Sequence, residues 1–200
     1  FVHWFHRFGL SRKLRLRLPL KASPRFSEVE GLVAKEPNRE GDFRRWAGPS
    51  ISFGYSFSVN LVRLAASYAA LVNGGRLVEP RLLLEEGEKV APPRRVISPA
   101  TSRVMRELLG RVVSDPNGTA HRMAGKWAGR LGGKTGTAFR RRGDDRIYWA
   151  LFVGFAPLDR PRYLAAALFC KRNTRRYYGG AKAGPTVRDI LLFATGEGGA

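Results

Sequence analysis

A glycine-rich segment near residue 130 contains the residues whose types and spacing could carry chemistry. Ala128-Gly-Arg-Leu-Gly-Gly-Lys-Thr135 nearly matches the phosphate-binding loop G-x-x-x-x-G-K-[ST], with alanine in place of the first glycine. That loop binds phosphate because it joins a buried strand to a helix whose N-terminal amides face the anion. Here no apolar strand precedes the segment, and the pattern after Thr135 predicts a hairpin. The context of the segment therefore argues against a nucleotide-binding loop.

The same segment contains Lys134-Thr-Gly136, which matches the K-T-G element of penicillin-interacting serine enzymes. On a strand, Lys134 would place a cation beside a nucleophilic centre, and the Thr135 hydroxyl would help hold a substrate carboxylate. Gly136 has no side chain, so a substrate can approach the backbone closely. The backbone N–H of Thr137 could face a developing oxyanion. The alternative is a glycine-rich edge strand with a solvated lysine.

Further motifs accompany this element in a fixed order along the chain. They are Ser52-Phe-Gly-Tyr-Ser-Phe-Ser-Val-Asn60, Gly118-Thr-Ala120, Gly133-Lys-Thr-Gly-Thr-Ala138, Val153-Gly-Phe-Ala-Pro-Leu-Asp-Arg-Pro-Arg-Tyr163 and Tyr177-Tyr-Gly-Gly180. With these motifs the chain resembles the C-terminal half of the class B penicillin-binding proteins. The Ser-Phe-Gly-Tyr and Tyr-Tyr-Gly-Gly segments are more similar to the septal, division-specific branch than to the elongation branch.

The resemblance implies a peptidoglycan D,D-transpeptidase, in which a serine attacks the D-Ala-D-Ala bond of a stem peptide and β-lactams acylate the same serine. It implies that Lys134 and Thr137 act in catalysis, that Thr135, Gly136 and Thr137 bind substrate, and that no cofactor or metal takes part. It also implies division or glycosyltransferase partners in the membrane. The catalytic domain would face the periplasm or cell exterior, with its anchor in the bacterial inner membrane and outside this chain.

The sequence departs from the family pattern at the nucleophile. No serine in the chain is followed by lysine three residues later, so the S-x-x-K element is absent. Ser58-Val-Asn60 matches the S-x-N element, but its position corresponds to the S-F-G-Y segment, where it caps a helix. Residues 1–8 read as the end of a helix already under way. We therefore expect residues 1–200 to be the C-terminal portion of one transpeptidase domain, inactive in isolation.

Composition narrows the remaining alternatives. Lys+Arg 36 against Asp+Glu 16 give a net charge of +20, and 44% of residues are hydrophobic. That apolar content excludes a disordered polybasic tail. The charge alone would attract nucleic acid at low salt, but the basic residues are scattered and no nucleic-acid module appears. A nucleic-acid-binding domain and a non-catalytic remnant of the fold stay as competing hypotheses. His3, His6 and His121 lack the spacing of metal ligands.

The hydrophobic pattern predicts an α+β fold, an antiparallel sheet flanked by helices. Helices are predicted over residues 1–8, from Asn60 to the Gly74-Gly75 stop, from Ser98-Pro99 onward, and around residues 187–194. A turn is predicted at Asp115-Pro-Asn-Gly118. Strands are predicted at residues 14–18, 132–139, 147–156 and 162–171, the last three forming a meander.

The same pattern predicts which faces are buried. Three stripes of apolar side chains should face the core, one on each of the longer helices: Leu61, Leu64, Ala65, Tyr68 and Val72; Val104, Leu108 and Val112; Val187, Ile190, Leu191 and Ala194. The last two strands of the meander are apolar on both faces and should be central and covered by helices. Cys170 is expected to be a small buried hydrophobe.

Overall fold

A computed structural model describes residues 2–10, 14–15, 28–29, 54, 59–82, 90–174 and 177–197. The chain divides into two compact units, one of Phe1–Ala70 with Gly75–Ile97, the other of Leu71–Gly74 with Ser98–Ala200. A strand was predicted over residues 14–18, and its residues 16–18 lie outside the described residues. Most of the Ser52-Phe-Gly-Tyr segment also lies outside them.

Along the chain, helices alternate with two short two-stranded sheets, and a longer three-stranded sheet follows. The helices are α1 (Val2–Arg7), α2 (Leu61–Val72), α3 (Pro99–Ser114), α4 (His121–Ala124), a 3-10 turn (Gly125–Trp127), α5 (Gly179–Lys182) and α6 (Gly184–Ala194). The strands are β1 (Leu14–Arg15), β2 (Glu28–Val29), β3 (Arg76–Leu77), β4 (Arg94–Arg95), β5 (Gly132–Arg142), β6 (Asp145–Ala156) and β7 (Tyr163–Arg172). Antiparallel pairs form between β1 and β2, between β3 and β4, and in the order β5-β6-β7. The predicted α+β class and meander are confirmed.

The predicted ends of α1 and α2 are confirmed. Gly9, with φ +73°, follows α1, and Gly74 and Gly75 adopt φ +86° and +87° after α2. These values favour glycine because a Cβ is strained there. Asn60 caps α2, since its Oδ1 accepts a hydrogen bond of 2.9 Å from the Val62 amide.

The predicted buried face of α2 is only partly correct. Ala66 and Ala70 form the core of the first unit with Leu77, Val96 and Phe8, while Leu61, Leu64, Ala65 and Tyr68 are half-buried. Val72 is buried in the second unit, as predicted. The Arg63 side chain, only 2% exposed, pairs with Glu79 at 2.7 Å. Counting apolar residues misplaced the face because an ion pair lets an arginine occupy it.

Helix α3 begins as predicted but buries a different face. The Ser98 hydroxyl accepts from the Thr101 amide at 3.0 Å. Val104 and Leu108 are 53% and 52% exposed and Val112 is half-buried, so the predicted stripe was wrong. The buried residues are Ser102, Leu109, Gly110 and Val113. A Cβ on Gly132 of β5 would lie 3.2 Å from the Gly110 amide nitrogen, so this face of α3 approaches β5 closely.

The sheet has β6 at its centre, with Phe152, Val153 and Phe155 buried. Strand β7 is an edge of this three-stranded sheet in the described part of the chain. Its residues Leu168, Phe169 and Cys170 are exposed, which corrects the predictions of a central β7 and a buried Cys170. Ala165 and Ala167 are half-buried against the core that contains α6, so the prediction of a covered strand holds for only part of β7. Strands β5 and β6 both extend into the arginine-rich segment between them and are joined by a turn at Gly143-Asp144.

Helix α6 covers one face of the sheet. Val187 and Leu191 are buried against Phe152, as predicted for the closing helix. Ile190 is 49% exposed, however, and Leu192 is buried in its place. The buried face of α6 is therefore rotated by part of a turn from the predicted apolar stripe. The turn at Asp115-Pro-Asn-Gly118 is confirmed, since the Asn117 amide donates to Asp115 Oδ1 at 2.8 Å.

Candidate functional site

Strand β5 holds the Lys-Thr-Gly-Thr segment in a fixed register. Lys134 is paired with Val153, Thr135 with Phe152 and Thr137 with Ala150 of β6. Because side chains alternate along a strand, Thr135 and Thr137 share one face and Lys134 lies on the other. The threonine face is the one on which Phe152 contacts α6. The lysine face is the one on which Phe155 contacts Leu109 of α3.

Thr135 is held by a residue from the segment that precedes α4. Its Oγ1 lies 2.9 Å from the Oγ1 of Thr119, and either hydroxyl can be the donor. Thr119 follows the Asp115–Gly118 turn, whose backbone bond from the Gly118 amide to the Asp115 carbonyl is 2.8 Å long. The turn therefore places one threonine hydroxyl against the other across 16 residues of sequence.

Thr137 is held by the N-terminus of α5. Its Oγ1 accepts a hydrogen bond of 3.1 Å from the Gly179 amide. A Cβ on Gly179 would lie 2.1 Å from the Leu151 carbonyl oxygen and 2.5 Å from that of Gly136. A Cβ on Gly180 would lie 2.3 Å from the Thr119 carbonyl oxygen. Only the Gly-Gly pair allows α5 to approach β5 this closely, because any side chain there would clash with backbone.

Lys134 is exposed, and its Nζ donates to the neighbouring Thr135 carbonyl at 2.9 Å. Because it points to the opposite face of β5, it does not line the cavity that Thr135 and Thr137 share. The site residues predicted from the sequence therefore do not all lie on one face of β5. The two threonines converge on one side, and the lysine is presented on the side of α3.

A cavity of about 590 Å³ opens beside the threonine face of β5. Its described lining residues with polar side chains are Thr119, Thr135, Thr137, Tyr178 and Arg122. Tyr178 is 60% exposed at its rim. None of the described residues that line the cavity carries a carboxylate, so the side-chain charge of this described lining is positive. Hydroxyl donors beside a cation favour a small anionic group.

Sequence reasoning missed the roles of several of these residues. Thr119, Gly179 and Gly180 stood in motifs that supported the resemblance, but their contacts with β5 were not inferred. The motifs Gly-Thr-Ala and Tyr-Tyr-Gly-Gly were a usable signal, because each supplies the group that holds one threonine. Arg122 had no signal beyond being a cation near Thr119.

Neither a metal-binding cluster nor a membrane-spanning helix is found in the described part of the chain. There, no cluster of three or more His, Cys, Asp or Glu side chains could hold a metal ion. None of the helices described here combines the length and apolar character needed to cross a membrane.

The fold and these motifs match a known family. The family model for the penicillin binding protein transpeptidase domain matches residues 1–192. The chain is 34% identical over 167 residues to a probable peptidoglycan D,D-transpeptidase, PbpC, of Pseudomonas aeruginosa, covering 80% of this chain and 29% of that protein. It is 32% identical over 196 residues to a probable peptidoglycan D,D-transpeptidase, PenA, of Neisseria gonorrhoeae, covering 94% of this chain and 30% of that protein.

Solved structures agree. The transpeptidase domain of Burkholderia pseudomallei penicillin-binding protein 3 superposes with a TM-score of 0.72 at 29% identity, covering 97% of this chain and 55% of that chain. The present chain thus spans less than a third of the two curated relatives named above and about half of the solved domain. With its order of motifs, its sheet and helices, and these matches, the chain belongs to the transpeptidase domain family of the class B penicillin-binding proteins.

Proposed function

We propose that this chain forms one side of the substrate cleft of a peptidoglycan D,D-transpeptidase and that residues 1–200 are the C-terminal portion of that catalytic domain. The observation that carries the proposal is the convergence of Thr135 and Thr137 on one cavity with hydroxyl and cationic groups. A cavity of this kind suits the terminal carboxylate of a stem peptide ending in D-Ala-D-Ala, or the carboxylate of a β-lactam.

The reaction requires a serine from outside this chain. Its Oγ attacks the carbonyl carbon between the two D-alanines, forming the acyl-enzyme and releasing the terminal D-Ala with a proton on its new amine. An amine of a neighbouring stem peptide then attacks the ester and returns a proton to the serine. Thr135 and Thr137 hold the substrate carboxylate, and Gly136 lets the substrate lie against the strand. Lys134 contributes a positive charge from the other face of β5, and the Thr137 amide stabilises the oxyanion.

The setting follows from the family. The proposed activity implies a catalytic domain outside the cytoplasmic membrane, where peptidoglycan is cross-linked, and the septal-type motifs favour a role in division. Membrane-bound division proteins or glycosyltransferases are the proposed partners. The competing hypothesis of a non-catalytic remnant is distinguished by the coding sequence upstream of Phe1. An in-frame S-x-x-K and S-x-N would support the enzyme, and a start codon near Phe1 would favour the remnant.

Labelling with a fluorescent penicillin tests the proposal. We expect no covalent label on the 200-residue chain, because it lacks the S-x-x-K serine. In the full-length gene product, Lys134→Ala should slow acylation about 100-fold, the lower range for loss of a group that assists proton transfer. Lys171→Ala removes an exposed lysine from β7 and is the matched control. Covalent labelling of the short chain, or unchanged acylation in Lys134→Ala, would contradict the assignment.

A further inference from the structure

Among the described residues that line the cavity beside β5, Arg122 alone is charged. It stands in the short helix α4, whose neighbouring residues Met123 and Ala124 are buried in the core of the second unit. The guanidinium of Arg188 donates to the Met123 carbonyl at 2.6 Å and ties α4 to α6. The backbone that carries Arg122 is therefore held in place on the rim of the cavity, while its own side chain is exposed.

No described residue neutralises this charge. Within the described part of the chain, Arg122 forms no ion pair and no side-chain hydrogen bond. A second cavity of about 570 Å³ in the same unit shows the opposite arrangement. Its lining includes Arg130 together with Glu107, Asp159 and Glu197, and Arg130 pairs with Glu197 at 2.8 Å. The cavity beside β5 thus offers an arginine that an incoming anion can engage without displacing a carboxylate of the protein.

The hydroxyls of the same cavity also have hydrogens to donate. Thr137 Oγ1 already accepts from the Gly179 amide, so its own hydrogen is available to a ligand. Thr119 and Thr135 share one hydrogen bond, which uses one of their two hydroxyl hydrogens and leaves the other. A carboxylate accepts several hydrogen bonds and pairs well with a guanidinium. Two hydroxyl donors and one arginine therefore match a single carboxylate.

From this arrangement we propose that Arg122 is a ligand-positioning residue that supplies the counter-charge for the carboxylate held by Thr135 and Thr137. The inference rests on the proposed function, since it concerns the same cavity and the same ligand class, a peptide with a free C-terminal D-alanine. It adds a charge from outside the Lys-Thr-Gly-Thr segment, on an element that sequence reasoning had not connected with the site.

The assignment is tested by comparing the affinities of the chain for a ligand with a carboxylate and for the same ligand without one. The 200-residue chain, labelled with nitrogen-15, is titrated with N-acetyl-D-Ala-D-Ala and separately with its C-terminal amide, and amide shifts give the two dissociation constants. We expect the acid to bind more tightly than the amide. Arg122→Gln should weaken binding of the acid by about fivefold to tenfold, the range for a charge-assisted contact at an exposed site, and change binding of the amide less than twofold. Arg122→Lys should retain most of the acid affinity.

Two further variants separate the possible failures. Arg111→Gln removes an exposed arginine of α3 that does not line the cavity, so it controls for net charge, and Thr135→Val tests the carboxylate site itself. If Thr135→Val weakens acid binding but Arg122→Gln does not, only the role of Arg122 is contradicted. If Arg122→Gln weakens acid and amide equally, its effect is structural and the inference is again overturned. If the wild-type chain binds neither ligand, or Thr135→Val has no effect, the carboxylate site of the proposed function fails together with the inference.

Discussion

Replacing Gly179 by alanine should damage the fold at the point where α5 meets the Lys-Thr-Gly-Thr strand. The new Cβ would lie 2.1 Å from the Leu151 carbonyl oxygen and 2.5 Å from that of Gly136, whereas ordinary contacts begin at 3.4 Å. Gly179 does not adopt a positive φ, so the cost comes from lack of space and not from backbone strain. Both neighbours are backbone atoms of paired strands. They cannot rotate away, so α5 must move by roughly 1 Å.

Overpacking a tight site typically costs about 1–3 kcal/mol, and contact with backbone on both sides places Gly179→Ala at about 3 kcal/mol. For a chain of this length that corresponds to a decrease in Tm of about 6–12 °C. Moving α5 also breaks the bond from the Gly179 amide to Thr137 Oγ1, so the Thr137 amide resonance should shift even at temperatures where the protein stays folded.

The assay is thermal unfolding of the full chain followed by circular dichroism, with Gly110→Ala as the matched control. A Cβ on Gly110 would meet the Leu158 side chain at 3.0 Å, and a side chain can rotate away. Alanine also gains about 1 kcal/mol of helix propensity inside α3, so the net change should be close to zero. A Gly179→Ala protein that melts within about 2 °C of wild type would refute the reasoning that this contact is rigid.

Two further predictions concern stability. Ser98→Ala removes the cap of α3 and should cost about 1 kcal/mol, a decrease of about 2–4 °C in Tm measured by calorimetry, while Ser98→Asp should restore most of it; equal melting of all three proteins would contradict the capping role. Burial raises the pKa of Tyr68 above its usual value of 10.0. Its neutral form is favoured in the folded state, so its contribution to stability is complete below pH 10.0 and is lost as the pH rises toward the folded-state pKa. Wild type should therefore lose stability relative to Tyr68→Phe above pH 10 in denaturant titrations, and parallel pH profiles would contradict this.

Local sequence signals predicted the boundaries of the elements well. Asn60 and Ser98 are caps, Gly9 and Gly74 end helices, and the alternation of apolar runs with turn residues located three strands. These signals act between residues a few positions apart. A cap needs only its own first turn, and a glycine stop needs only its own φ. These local signals therefore predict element boundaries correctly whatever tertiary packing the rest of the chain adopts.

The buried faces of the helices were harder to predict. On α3, the apolar stripe of Val104 and Leu108 is exposed, and the face that contains Gly110 is buried. Hydrophobicity favoured the stripe with the larger side chains, but α3 buries the face that carries Ser102, Leu109, Gly110 and Val113. The exposed Cys170 shows the same limit, because an apolar strand is covered only where another element reaches it.

The order and spacing of the motifs determined the family, because each motif is a short run of residues whose identity alone is informative. They did not determine how the site is assembled. The hydroxyl of Thr135 meets a partner 16 residues away and that of Thr137 a partner 42 residues away. Strand alternation separates Lys134 from both threonines. Only the tertiary structure decided these contacts and the place of Arg122 at the same cavity, because they depend on strand register and on two glycines that let α5 approach β5.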